Sequence, residues 1–171
     1  MANTLTFSSY TLNGIRAALK KNWLEWFLAQ QIDVIGIQET KARPEQVDMS
    51  ALAEAGYPYQ YWHSAEKKGY SGVAIFSRIE PDLVEEGMGV DWIDTEGRVL
   101  RADFGDLTLL NCYFPSGTSG EERQAAKFRF LEAIVAYVAA LRQTRPHLIV
   151  QGDYNIAHNE IDLHSPKTNK I

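Results

Sequence analysis

The sequence predicts a layered α/β (α+β) domain, and three observations predict it. Two short apolar runs, Asp33-Val34-Ile35-Gly36-Ile37-Gln38 and Pro146-His147-Leu148-Ile149-Val150-Gln151, read as strands buried on both faces. Two longer stretches repeat apolar residues at helical spacing. Between them lies a series of short strand-like runs separated by Gly, Asp and Pro, the mark of a meander. Helices covering a sheet with a meandering middle give packed layers around a core.

Residues 5–11 alternate loosely and predict a first strand. Ile15, Leu19, Trp23 and Phe27 recur every four residues with Lys20, Lys21 and Glu25 between them, so residues 15–31 predict one amphipathic helix. Residues 33–38 are the first buried strand. Residues 44–55 predict a short helix opened by Pro44 and closed by Gly56. Strand-like runs follow at 59–63, 72–77, 83–87, 99–104 and 107–114, with Gly105-Asp106 marking a tight hairpin between the last two. Ser119-Gly120-Glu121-Glu122 reads as a capping box. Phe128, Leu131, Ile134, Val135, Val138 and Leu141 then define one face of a long helix. The buried strand at 146–151 leads into a polar stretch, 152–171, that reads as loop.

Composition sets the bounds. The chain has 171 residues, 45% hydrophobic and 23% charged, which suits a soluble globular domain and excludes a disordered or collagen-like chain. No apolar run is long enough to span a bilayer, and residues 1–10 lack a signal-peptide pattern, so a cytoplasmic location without membrane association is expected. A single cysteine, Cys112, excludes a disulfide framework and a cysteine-rich zinc site, and its place in the strand pattern predicts an inert core thiol. The net charge of −5 argues against a strongly basic nucleic-acid binder, so any such role rests on local patches or a metal. Walker, dinucleotide-binding and Gly-x-Ser-x-Gly motifs are all missing, and the four histidines show no metal-pair spacing.

Chemistry concentrates where strands end. Thr11 and Asn13 follow the first strand; Gln38, Glu39 and Lys41 the second; Asn111, Tyr113 and Ser116 the hairpin; Asp153 and Asn155 the last. Turn propensity explains any one such group. Four of them, each after an apolar strand, predict a shared rim where the groups converge. Glu39 needs a cation, either Lys41 or a metal, and a hard oxygen donor suits Mg²⁺ with phosphate oxygens and water. Asp153 is placed to orient a water, and Asn155 to hold a phosphate oxygen or the Asp153 carboxylate. Basic and aromatic residues alternate at Arg16, Lys20, Lys21, Lys67, Lys68, Tyr70, Arg98 and Arg101, a pattern that can follow a phosphate backbone.

With these residues in hand, the chain resembles the exonuclease III type of AP endonuclease within the endonuclease/exonuclease/phosphatase superfamily. The resemblance runs through Leu12-Asn13-Gly14-Ile15-Arg16-Ala17, Gln38-Glu39-Thr40-Lys41, Gly69-Tyr70-Ser71-Gly72-Val73-Ala74, Glu96-Gly97-Arg98-Val99, Asn111-Cys112-Tyr113-Phe114-Pro115 and Gly152-Asp153-Tyr154-Asn155-Ile156-Ala157-His158 with Glu160-Ile161-Asp162-Leu163. It covers the chain from end to end, and the last motif favours the DNA-repair branch. It implies a four-layer α/β/β/α sandwich of the DNase I-like type. Glu39 and Asn13 would serve the metal; Tyr113, Asp153 and Asn155 the scissile phosphate and its attacking water. Thr11 and Lys41 would support the site, Asn169 would line the abasic pocket, and Arg16, Lys21, Tyr70 and Arg98 would contact the DNA backbone. Mg²⁺, with Mn²⁺ as a substitute, is the implied cofactor. Double-stranded DNA with abasic sites or blocked 3′ ends is the implied partner, and a bacterial member would be associated with the nucleoid. The implied activity is cleavage 5′ of abasic sites with 3′-to-5′ exonuclease and 3′-end trimming.

Two departures stand out. Thr11 takes a position where the family usually has asparagine. The family also continues past residue 171 with a Ser-Asp-His motif, so residues 1–171 are expected to be an incomplete single domain, inactive alone and open to self-association, whereas the full-length protein would be a monomer. Two other readings stay open: a small-molecule phosphodiesterase or phosphatase on the same scaffold, and a non-catalytic DNA-binding fragment.

Overall fold

A computed structural model describes residues 4–117 and 120–163. Two four-stranded sheets form the centre. The first has the order β1 (Phe7–Thr11), β2 (Val34–Gln38), β4 (Val73–Ser77), β3 (Tyr59–His63). β1 and β2 are parallel, pairing Thr11 with Gln38, and the other neighbours are antiparallel. The second sheet runs β5 (Leu83–Glu86), β6 (Val99–Phe104), β7 (Leu107–Tyr113), β8 (His147–Asp153). Here β7 and β8 are parallel and pair Tyr113 with Asp153.

The sheets pack face to face through Val34, Val73, Ile75, Leu100, Ala102 and Leu109. The alternate residues of the same strands point outward. Ile35, Ile37, Ala74 and Phe76 pack under α1 (Ile15–Leu19), α2 (Trp23–Ala29) and α3 (Ser50–Glu54). Val99, Leu110 and Cys112 pack under α4 (Asp91–Asp94) and α5 (Glu121–Leu141). The result is an α/β/β/α sandwich, and burial on both faces explains the unbroken apolar runs of β2 and β4. Cys112 lies in this core, where burial pushes its thiol up to about 12, so it is inert as expected.

The expected single helix over 15–31 is two helices. Asn22 is left-handed at φ 59°, and i+3 bonds from Lys21 and Asn22 to Ala18 and Leu19 close the first segment. The cause is geometric. Each four-residue step turns a stripe about 40° further round a straight helix, so three steps carry it about 120° off the sheet. The break resets the phase, and Ile15, Trp23 and Phe27 are all buried. The expected helix over 44–55 likewise divides into a 3-10 turn at Pro44–Gln46 and α3. Sequence periodicity missed α4, which is only four residues long. On α5 the expected apolar face is displaced: Phe130, Ile134 and Leu141 are buried, whereas Phe128 and Val135 are exposed. Neighbours such as Ile134 and Val135 lie about 100° apart on a helix and cannot both face one sheet. Ser119 of the expected capping box lies outside the described residues; Glu121 and Glu122 do occupy the first turn.

Candidate active site

The rim expected from sequence exists at one end of the two sheets, and a buried polar seam under it fixes the sheets together. Gln38 at the end of β2 donates to Asn111 Oδ1 of β7 across 2.5 Å. Asn111 Nδ2 in turn donates to the carbonyls of Ile37 at 3.0 Å and Ala74 at 2.9 Å. Gln151 Nε2 reaches Ser8 O at 3.0 Å. Thr11 Oγ1 and Ser9 Oγ contact Gln38 Oε1 at 3.2 and 3.3 Å, so Thr11 supports the seam. Gly36 makes room for it, because a Cβ there would meet Gln151 Nε2 at 2.1 Å and Asn111 Oδ1 at 2.5 Å. Gln38 and Asn111, both read from sequence as rim residues, are fully buried and act as this brace.

Directly above, residues 39–41 form a loop held from both sides. Gly14 N donates to Glu39 O at 2.8 Å and Ile15 N to Thr40 O at 3.0 Å, while Lys41 N donates to Ser71 O at 2.8 Å. Gly72 lets Thr40 approach, since a Cβ there would meet Thr40 Oγ1 at 2.3 Å. Glu39, Lys41, Asn13 and Asn155 all have positive φ, at 58°, 50°, 53° and 49°. Left-handed backbone costs most non-glycine residues roughly 1–2 kcal/mol but suits asparagine, so the strain falls on Glu39 and Lys41, where the surrounding loop enforces it.

The side chains converge. Lys41 Nζ sits 2.9 Å from Glu39 Oε1 and 2.6 Å from Asn13 Oδ1, so a carboxylate and an amide oxygen meet one positive charge. The Tyr113 hydroxyl, at the end of β7, lies near the Glu39 carboxylate. Burial and then the charge of Glu39, with a smaller push from Asp153, hold that hydroxyl well above its usual pKa. Glu39 from the first sheet and Asp153 from the second therefore act on the same group. Asp153 Oδ1 accepts from Asn155 N at 3.0 Å, and Asn155 Nδ2 donates to Phe114 O at 2.9 Å. Residues 153–155 are thus a tight turn tied to the end of β7.

The backbone-contact residues divide. Arg16 and Lys21 are exposed on the α1 side, with Arg16 Nη2 3.3 Å from Lys41 O. Lys21 lines a groove shared with Asn13. Tyr70 is half-buried on the other flank, with Lys67 and Arg123 5.2 and 5.4 Å from its ring centre. Arg98 is the correction: only 3% of it is exposed. Its guanidinium donates to Glu96 at 2.5 Å, Tyr113 O at 2.9 Å and Tyr70 Oη at 2.9 Å, so it braces the strand end that carries Tyr113 rather than reaching outward. Asn169 lies outside the described residues. Lys127, which the sequence reading passed over, projects from α5 to donate to Asn155 O at 2.6 Å.

The donor set suits one hard cation. Among the described residues no three His, Cys, Asp or Glu side chains cluster as a metal site. A single carboxylate with an amide oxygen, already arranged around the Lys41 ammonium, is the sparse protein contribution that Mg²⁺ accepts when water and phosphate complete its shell.

A two-sheet sandwich with an acidic and amide rim at one end defines the structural class. The chain belongs to the endonuclease/exonuclease/phosphatase family, whose pattern matches residues 9–171. It is 40% identical to an exodeoxyribonuclease of Bacillus subtilis, over 95% of this chain and 63% of that protein. It is 36% identical to the DNA repair nuclease APEX1 of Danio rerio, over 99% of this chain and 54% of that protein. Among solved structures, an AP endonuclease from Archaeoglobus fulgidus matches with a TM-score of 0.81 and 28% identity, over 96% of this chain and 63% of that one. The chain therefore spans less than two thirds of the length of these relatives.

Proposed function

We propose that these residues belong to a Mg²⁺-dependent DNA-repair nuclease that cleaves the phosphodiester 5′ of abasic sites in double-stranded DNA and trims 3′ ends. The observation that carries the reading is the meeting of strand ends: Tyr113 pairs with Asp153 in the second sheet, and Gln38, next to Glu39 in the first, bonds Asn111 of the same β7 strand, which brings Glu39 close enough to raise the Tyr113 pKa. The names of the relatives, exodeoxyribonuclease and DNA repair nuclease, point the same way.

Glu39 and Asn13 would hold the cation, which when bound supplies charge to offset the negative phosphate and its leaving oxygen. Lys41 would be displaced from that position or share it. Tyr113, kept protonated by its surroundings, would donate a hydrogen bond to a non-bridging phosphate oxygen. Asp153 would accept a proton from the attacking water and align it for in-line displacement. Asn155, its turn held by Phe114 O, would keep Asp153 aimed and offer its amide to the phosphate. The bond that breaks is phosphorus to O3′, leaving a 3′-hydroxyl. Arg16, Lys21 and Tyr70 would follow the flanking backbone. An abasic nucleotide lowers the cost of turning the sugar outward, because no base has to be unpaired. The full-length protein is expected to act as a monomer, and residues 1–171 alone to turn over little substrate.

The test is cleavage of an abasic duplex by the full-length protein with and without Mg²⁺. Glu39→Ala and Asp153→Asn should each lower the rate at least about a hundredfold, the usual scale for a metal ligand or a general base. Undiminished cleavage in either variant would refute the assigned role, and turnover of small phosphomonoesters in place of DNA would refute the substrate.

A further inference from the structure

We propose that Lys127 is a positioning residue: from α5 it clamps the turn carrying Asp153 and Asn155, and so sets where those two groups stand relative to Tyr113. The inference deepens the proposed function and rests on it for the catalytic readout alone.

The geometry carries it. α5 is a 21-residue helix fixed to the outer face of the second sheet by Phe130, Ile134 and Leu141, all buried against the β6–β7 core. Lys127 lies on this rigid support and donates to Asn155 O at 2.6 Å. Three polar groups of Asn155 are then tied: N to Asp153 Oδ1, Nδ2 to Phe114 O, and O to Lys127. The residue so fixed is left-handed at φ 49°, a conformation asparagine accepts, so the three bonds select it from the alternatives open to a turn residue. The bond is charge-assisted and half-buried, where it is stronger than a neutral one. Phe114, the other anchor, is itself buried against Phe130 of the same helix at 4.9 Å between ring centres.

One helical turn earlier, Arg123 does a matching task on the opposite flank. It reaches Glu96 Oε1 at 3.4 Å and lies over the Tyr70 ring, joining the Arg98 lattice that holds the Tyr113 carbonyl. Residues four apart share one helix face. A single face of α5 thus grips both strands that bring Tyr113 and Asp153 to the rim. Lys127 touches neither reacting atom, and its effect passes through Asn155.

The experiment compares the full-length wild-type protein with Lys127→Met and Lys127→Arg. Without DNA, amide hydrogen exchange over residues 153–157 should speed up about tenfold in Lys127→Met and stay near wild type in Lys127→Arg, with exchange in β6 and β7 unchanged. On an abasic duplex with Mg²⁺, Lys127→Met should lower kcat about tenfold with KM within about twofold, and Lys127→Arg should recover most of it. Unaltered exchange over 153–157 in Lys127→Met would overturn the clamp. So would a raised KM at constant kcat, which would make Lys127 a DNA contact. Cleavage failing in wild type, with the exchange difference present, would count against the nuclease reading and leave the clamp standing.

Discussion

At the scale of the residue, Tyr113 gives the sharpest electrostatic expectation. Burial and the neighbouring Glu39 both disfavour its phenolate, so its hydroxyl keeps its proton beyond the ordinary tyrosine value of about 10. A group with a raised folded pKa holds its protonated form below that pKa and loses it only as pH rises through it. The alkaline side of the kcat/KM profile should therefore show no loss due to Tyr113 up to pH of about 10. Tyr113→Phe should cost roughly tenfold or more, the scale of a hydrogen bond to a charged phosphate, without changing the profile's shape there. A decline near neutral pH that vanishes in Tyr113→Phe would contradict this. Glu39 and Asp153 stood out in the sequence only as part of a set, since a turn or the Lys41 pair explains either one alone but not four polar groups that each close an apolar strand. Arg98 was not, since nothing in a sequence distinguishes a guanidinium turned inward onto Glu96 and Tyr70 from one turned toward solvent. Lys127 was hidden for the same reason: its partner lies 28 residues away on another element.

At the scale of the element, strands were read well and helices were read too simply. β2, β6 and β7 were visible because burial on both faces or a clear alternation leaves a strong local pattern. The helices depend on phase, which four-residue spacing hides over long stretches. Asn22 is where that phase is reset, and it tests the explanation. Its φ of 59° suits glycine or asparagine. Asn22→Gly should hold stability within a few tenths of a kcal/mol, whereas Asn22→Ala should lose about 1 kcal/mol, as read by chemical denaturation. Equal stability of the two variants would mean that the break is not set at this residue. Gln31, also left-handed at φ 53°, closes the same unit after α2, another feature that composition did not announce.

At the scale of the whole molecule, the four layers position chemistry by bringing two strand ends together. The resemblance made this arrangement legible before any coordinates, because no local pattern tells which strand ends become neighbours. What sequence could not disclose is the means: Gln38, Asn111 and Gln151 form a buried polar brace, and Gly36 leaves space for it. Buried amides tied to each other and to the backbone of both sheets favour one relative placement of the sheets over many. Among the described residues no helix is long and apolar enough to cross a membrane. The central claim is that Glu39 and Asp153, from different sheets, serve one cation-assisted phosphate site. A double-mutant cycle measures it most directly: single-turnover cleavage of an abasic duplex with Mg²⁺ by wild type, Glu39→Gln, Asp153→Asn and the double variant. Groups that act as a unit are strongly non-additive, so the account predicts a double variant little slower than the worse single one. Losses that multiply in full would show two independent sites and contradict it.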